Sequence, residues 1–218
     1  MGHKQKDKEL KIETPRIPQN LSELIVEDIQ SGDYFEMGVI QDAFLDNRTA
    51  NKVCFDKVIF RHINFTGTSF HQLELTDVIF EKCDLSNVDF SNAIIHRAEF
   101  RNCKLVGIDL SHATIMNVLF NECMGNYATF RFAQLKQVII QGSSFQSADF
   151  YTTKLKKIAL HSTNINKSQF SGTKLEGIDL SDCEFNGLGV EVEDLKGCLI
   201  SREQAYVFAN LFGLVVKE

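Results

Sequence analysis

The chain has 218 residues, 44% of them hydrophobic, and a net charge of −6. That is enough for one sizeable core, and the acidity argues against a general nucleic-acid binder. There is no run of 18 apolar residues to cross a membrane, and the basic start, Met1-Gly-His-Lys-Gln-Lys-Asp-Lys, has no apolar stretch behind it to make a secretory signal.

A cytoplasmic protein with six free thiols is therefore expected. Residues 1–20 read as a frayed or disordered tail. Residues 21–50 read as an N-terminal cap or first coil: residues 20–29 suit a short helix or strand, and Phe35, Ile40 and Leu45 then fall five residues apart.

From Phe55 that spacing becomes a rule. Every fifth residue up to Ile200 is large and apolar, with the single exception of Gly125. Neither a helix, with period 3.6, nor a flat strand, with period 2, produces this. Two positions earlier runs a lane of small or β-branched residues, including Val58, Cys83, Ala93 and Ala128, while the other three lanes are mostly polar. Each quintet thus points one large and one small side chain inward, as strand alternation allows.

Residue type also repeats every 20 residues. Cys83, Cys103, Cys123 and Cys183 share one phase, with Ser143 and Thr163 between them. Phe70, Phe90, Phe130, Phe150 and Phe170 share another. Four quintets therefore close one turn. The fold class expected is an all-β solenoid, a right-handed quadrilateral parallel β-helix of about 7–8 coils over residues 51–200, with a C-terminal α-helix. Stacked rings account for 18 phenylalanines and no tryptophan.

Several features along the rod suggest functions. The cysteines lie along an apolar axis rather than converging on one ion, so no metal or cofactor is expected. The histidines at 62, 71, 96, 112 and 161 fall in outward lanes; with no triad, paired carboxylates or phosphate loop, an enzyme is not expected. Gly125 predicts a local bend with Tyr127 partly filling the gap, or a functional contact. Ile59, Ile79, Leu119 and Ile139 form an outward apolar stripe, interrupted by Glu99. Either residues 20–50 cover it or it is a contact surface for another protein.

Charge is segregated. Residues 131–175 carry seven bases and one acid, and residues 176–218 nine acids and three bases. Asp89, Asp109 and Asp149 share one outward phase; Asp179, Asp182, Glu184, Glu191, Glu193 and Asp194 crowd the C-terminal coils. Carboxylates at regular axial steps can imitate the phosphates of duplex DNA. Lysines 136, 154, 156, 157 and 174 suit acidic patches on a partner instead.

At the C-terminus, Ser201-Arg-Glu-Gln204 is a capping box. Ala205, Phe208, Ala209, Leu211 and Phe212 give the following helix an apolar face, Gly213 stops it, and Leu214, Val215 and Val216 read as a short strand. Residues 201–218 either cap the rod or join two rods in a homodimer.

The motifs NVDFS at 87–91, SADFY at 147–151 and GIDLS at 107–111 and 177–181 resemble the pattern of the pentapeptide-repeat family. Residues 201–216 also look like the dimerising tail of its quinolone-resistance (Qnr-type) members from Gram-positive bacteria, and residues 126–133 like their central segment. The resemblance implies a homodimer that binds DNA gyrase or topoisomerase IV and protects it from quinolones, without direct nucleic-acid or membrane binding. Unlike many Gram-negative relatives, the chain has no coil-breaking insertion between residues 51 and 200, and its basic block is a poor match to DNA. The alternative is a protein-interaction scaffold unrelated to topoisomerases.

Overall fold

The computed structural model describes residues 10–217. Eight strands make one parallel sheet in sequence order: β1 (Ser22–Glu23), β2 (Tyr34–Gln41), β3 (Cys54–Arg61), β4 (Glu74–Glu81), β5 (Ile94–Arg101), β6 (Thr114–Asn121), β7 (Gln134–Gln141) and β8 (Lys154–His161). From β2 onward each residue pairs with the one 20 positions later, as in Phe60↔Phe80↔Phe100↔Phe120. Each eight-residue strand spans two faces of a right-handed, four-sided β-helix. The other two faces are joined by single bridges, such as Asp84↔Lys104 and Asp89↔Asp109.

The corners explain the five-residue period. Positive φ recurs two residues after each lane residue, at Lys57, His62, Gly67, Gln72 and Asp77 for example. This left-handed conformation costs an L-residue roughly 1–2 kcal/mol, which is why Asn, Asp and Gly are frequent there. The cost is offset by inter-coil hydrogen bonds repeated at every step, such as Phe90 N–H to Asp109 O at 2.8 Å.

Inside, two phenylalanine columns stack at the coil spacing. Rings 60, 80, 100 and 120 are 4.7–4.9 Å apart, as are rings 130, 150 and 170 at 4.7–4.8 Å. Each stacked pair adds about 0.5–1.5 kcal/mol beyond burial.

Gly125 does not break the sheet. Its N–H still donates to Ser144 O at 2.6 Å, and the Phe145 ring from the next coil occupies the space its side chain would take. The expectation that Tyr127 fills the gap is corrected: Tyr127 is 68% exposed, because its positive φ turns it outward at a corner.

The N-terminal segment departs further from expectation. Residues 1–9 lie outside the described residues, but residues 10–20, read as a frayed tail, lie on the rod. Glu13 N–H donates to Asn117 Oδ1 at 3.1 Å and Arg16 N–H to Asp77 Oδ1 at 2.9 Å. Three residues thus span two coils, so the segment runs extended along the axis. Leu10, Ile12, Pro15 and Ile17 are half-buried on it. Leu24 then fills the space above Gly38, where other coils carry an inward side chain such as Val58, and so plugs the first coil.

At the other end, α1 (Ala205–Leu211) follows a 3₁₀ turn at Val192–Leu195. Ser201 and Gln204 bond reciprocally, Gln204 N–H to Ser201 Oγ at 3.2 Å and Ser201 N–H to Gln204 Oε1 at 2.9 Å, the expected capping box. Gly213, at φ +76°, ends the helix, with Leu214 N–H bonded to Ala209 O and Gly213 N–H to Asn210 O, a Schellman motif. Leu214, Val215 and Val216 form no strand: they pair with no other segment among the described residues.

Candidate functional site

Three outward surfaces come from the repeat. The first is the apolar stripe. Ile59, Ile79, Leu119 and Ile139 lie in register along β3, β4, β6 and β7, with Glu99 between them. It is not a free surface. Ile79 and Glu99 are 8% and 6% exposed, Ile59, Leu119 and Ile139 are half-buried, and the extended N-terminal segment is anchored beside the row, at Asp77 in the coil of Ile79 and at Asn117 in the coil of Leu119. The segment anchored along it is residues 10–20.

The anchor is electrostatic as well as geometric. Arg97 donates to both oxygens of Asp77, at 2.6 and 2.8 Å, and Asp77 also takes the Arg16 N–H. Burial works to raise the Asp77 carboxyl, but the bonds from Arg97 and Arg16 outweigh it and hold the group below the usual carboxylate range. Beside it, Glu81 bridges Arg61 and Arg101, and Arg101 reaches on to Glu99. Glu99, an interruption in the stripe by sequence, is thus paired.

The second surface is acidic. Asp89, Asp109 and Asp149 do stack on one face, separated by Thr129. Each is half-buried and spends one oxygen on a backbone N–H two residues on, at Ser91, Ser111 and Tyr151. Asp149 also pairs with Arg131 at 3.1 Å. They act first as turn formers and only partly as surface charge. Asp179, Asp182, Glu184, Glu191 and Glu193 are exposed near the C-terminal end. Asp194 is not on this surface: it is 3% exposed, bonded to Lys174 and to the Gly172 N–H, because the 3₁₀ turn it belongs to carries it inward.

The third is the rod's apolar end. Phe208 is buried against Phe185, with ring centres 5.7 Å apart. Ala209 is half-buried, while Ala205, Leu211, Phe212, Leu214, Val215 and Val216 face outward, next to Leu199, Ile200 and Tyr206. An open cavity of about 170 Å³, lined by Leu195, Cys198, Ile200 and Phe208, lies between α1 and the last coil.

The cysteine column has a role the sequence did not disclose. Cys83, Cys103 and Cys123 Sγ donate to Phe60, Phe80 and Phe100 O; Ser143 and Thr163 Oγ donate likewise to Phe120 and Ile140 O. Cys, Ser and Thr interchange there because each is a small donor to the carbonyl 23 residues earlier. Burial pushes the Cys123 and Cys183 thiols up to about 12, so neither is a ready nucleophile. Among the described residues, no three His, Cys, Asp or Glu side chains gather as metal ligands, and no helix is long and apolar enough to cross a membrane.

The repeat geometry agrees with two family models, a pentapeptide repeat region over residues 73–150 and pentapeptide repeats over residues 143–186. The chain belongs to the pentapeptide-repeat family. Among curated proteins, this pentapeptide-repeat protein is 44% identical over 87 residues to an uncharacterised protein, YisX, of Bacillus subtilis (strain 168). That match covers 39% of this chain and about two-fifths (41%) of the relative. Among solved structures it is similar to full-length QnrB1, a plasmid-mediated fluoroquinolone resistance protein, at 16% identity and TM-score 0.44, covering 81% of this chain and 100% of that one. It is also similar to HetL of Nostoc sp. strain PCC 7120, involved in heterocyst differentiation regulation, at 17% identity and TM-score 0.34, covering 79% and 91%.

Proposed function

We propose that this pentapeptide-repeat protein is a non-catalytic, cytoplasmic binding rod, dimeric through its C-terminal end, that docks on a type II DNA topoisomerase, gyrase or topoisomerase IV, and shields it from quinolones. The observation that carries the dimer is the apolar end. The opposite end is plugged by Leu24, whereas Leu211, Phe212, Leu214, Val215 and Val216 face outward together. A contiguous apolar patch of this kind calls for a partner, and a twofold contact supplies one from the chain itself.

The partner reading is supported by the resemblance of residues 201–216 and 126–133 to the Qnr-type proteins, and by the exposed acids Asp179, Asp182, Glu184, Glu191 and Glu193, which end-to-end pairing brings toward the centre of a double rod. A site that grips DNA with Arg and Lys favours such a surface. The test is gyrase supercoiling in ciprofloxacin, with and without the purified protein, alongside its mass by light scattering. A dimer that restores supercoiling is expected. A dimer that neither rescues nor inhibits the enzyme removes the topoisomerase reading, and a monomer removes the dimer.

A further inference from the structure

The regular stacking fails at one level of the rod. In earlier coils two N–H groups of each quintet, the lane residue and the one two positions on, donate to carbonyls 19 positions on, as Leu105 does to Met124 and Gly107 to Asn126. Leu155, Lys157 and Leu160 of β8 should donate in the same way to residues 174, 176 and 179. Among the described residues, no backbone hydrogen bond joins 154–161 to 174–181, and β8 is the last strand of the sheet. The other two faces stay closed at this level, through Ile165 N–H to Glu184 O at 2.9 Å and Phe170 N–H to Gly189 O at 2.6 Å. The rod is therefore parted along two adjacent faces.

The parting reaches the core. Leu155 and Ile158 are half-buried, whereas their counterparts one coil earlier, Leu135 and Val138, are 2% and 0% exposed. Leu155, Ile158 and Leu160 line a narrow cavity with Phe145 and Phe150. Backbone donors left open in this way need a partner.

The structure shows what suits them. The next donor in the row, Ser162 N–H, is taken by the Asp182 carboxylate at 2.8 Å, and Gly172 N–H by that of Asp194 at 2.7 Å. On the β8 side of the seam the charge is positive, while the facing side, 174–181, carries Glu176 and Asp179 besides Lys174, which is paired with Asp194. Lys154, Lys156 and Lys157 are exposed on β8, Lys136 lies in register with Lys156, and none of the four is in an ion pair among the described residues. They belong to the stretch 131–175, with seven bases against one acid, in a chain whose net charge is −6.

We propose that this seam is a docking site for an extended acidic segment of a partner protein. Its carboxylates take the N–H groups of Leu155, Lys157 and Leu160, as Asp182 takes that of Ser162. Lysines 136, 154, 156 and 157 neutralise the rest. Alternate side chains of an extended segment repeat at about 6.6 Å, the step between Leu155 and Lys157 along a strand. The chain's own carboxylates already take two N–H groups of this kind, at Ser162 and Gly172, which favours a carboxylate over a phosphodiester. The site is separate from the C-terminal helix and borders the acidic surface at Asp179 and Asp182.

The test uses the full chain and a fluorescent peptide of alternating Glu and Val, compared with its Lys-Val counterpart and with oligothymidylate. Anisotropy should show binding of the Glu peptide alone, weakened by salt. The Lys156→Glu, Lys157→Glu double variant should weaken it about tenfold or more, and Lys156→Gln less, while Lys52→Glu at a distant coil leaves it unchanged. Hydrogen exchange should be fast at the amides of Leu155, Lys157 and Leu160 in the free protein and slowed by the Glu peptide. The proposal is overturned if those amides are already protected in the free protein, if the Glu peptide does not bind, or if oligothymidylate binds as tightly.

Discussion

The ring of Phe145 fills the place in the bore that Gly125 leaves empty. Phe145 is fully buried and also meets Phe120 and Phe130 edge-on or tilted, at 5.8 and 5.9 Å. The glycine is therefore one half of a size exchange between neighbouring coils. Restoring the repeat with Gly125→Leu should destabilise the protein by about 1–3 kcal/mol through overpacking. Phe145→Ala should cost about 3–5 kcal/mol through the cavity it opens. The double variant Gly125→Leu, Phe145→Ala should lose less than the sum of the two. Urea denaturation of the three variants measures this, and simple additivity would contradict the exchange.

The small lane yields a second prediction. Thr163 Oγ1 donates to Ile140 O at 3.2 Å and to His161 O at 2.9 Å inside the rod. Thr163→Val keeps the shape and removes the donor, so it should cost about 1–3 kcal/mol. Thr163→Cys should cost less, since Cys83, Cys103 and Cys123 make the same bond in the same column. Thermal melts of the two variants decide the order.

These two cases show what the sequence disclosed and what it withheld. The lanes, the 20-residue period, the stacked rings and the capping box were legible because they depend on residue type at fixed spacing, which stacking on itself enforces. Asp194, by contrast, has the same spacing as a surface acid, and only the 3₁₀ turn at Val192–Leu195 carries it inward. The N-terminal cover was hidden because its anchors are backbone N–H groups, at Glu13 and Arg16, meeting side chains 104 and 61 residues away. The seam was hidden because KLKKIALH at 154–161 and KLEGIDLS at 174–181 keep the same five-residue pattern, while the missing bonds are between backbones.

The cover should respond to acid. Asp77 has a folded-state affinity for protons below its unfolded one, held there by Arg97 and the Arg16 N–H against burial. A depressed carboxylate contributes stability that is present above its unfolded value, roughly pH 4, and is lost as pH falls through the lower folded value. Exchange at the Glu13 and Arg16 amides should therefore quicken below about pH 4, ahead of the core. In Asp77→Asn the same amides should be poorly protected at neutral pH, and the acid step should vanish. Unchanged protection in that variant would show that the carboxylate does not hold the segment.

Gln204 ties the terminal helix to the rod. Its side-chain NH₂ donates to Leu180 O and Cys183 O, both at 2.8 Å, while its Oε1 takes the Ser201 N–H. Gln204→Ala leaves the Cys183 carbonyl without a donor, takes from Leu180 O one of its two, and breaks the capping box, a local cost of roughly 1–3 kcal/mol. Gln204→Glu keeps the acceptor and turns a carboxylate on the two carbonyls, so it should be at least as damaging. Because a solenoid's stability is mostly nearest-neighbour, the main thermal transition should barely move in either variant. Instead, trypsin should cut faster after Arg202 and the amides of Val207 and Phe208 should exchange faster. If α1 presents the dimer surface, light scattering should also show a shift toward monomer at the same protein concentration. A variant that melts early as a whole, with α1 still protected, would contradict this, because it would place Gln204 in the global core rather than at the hinge of its end.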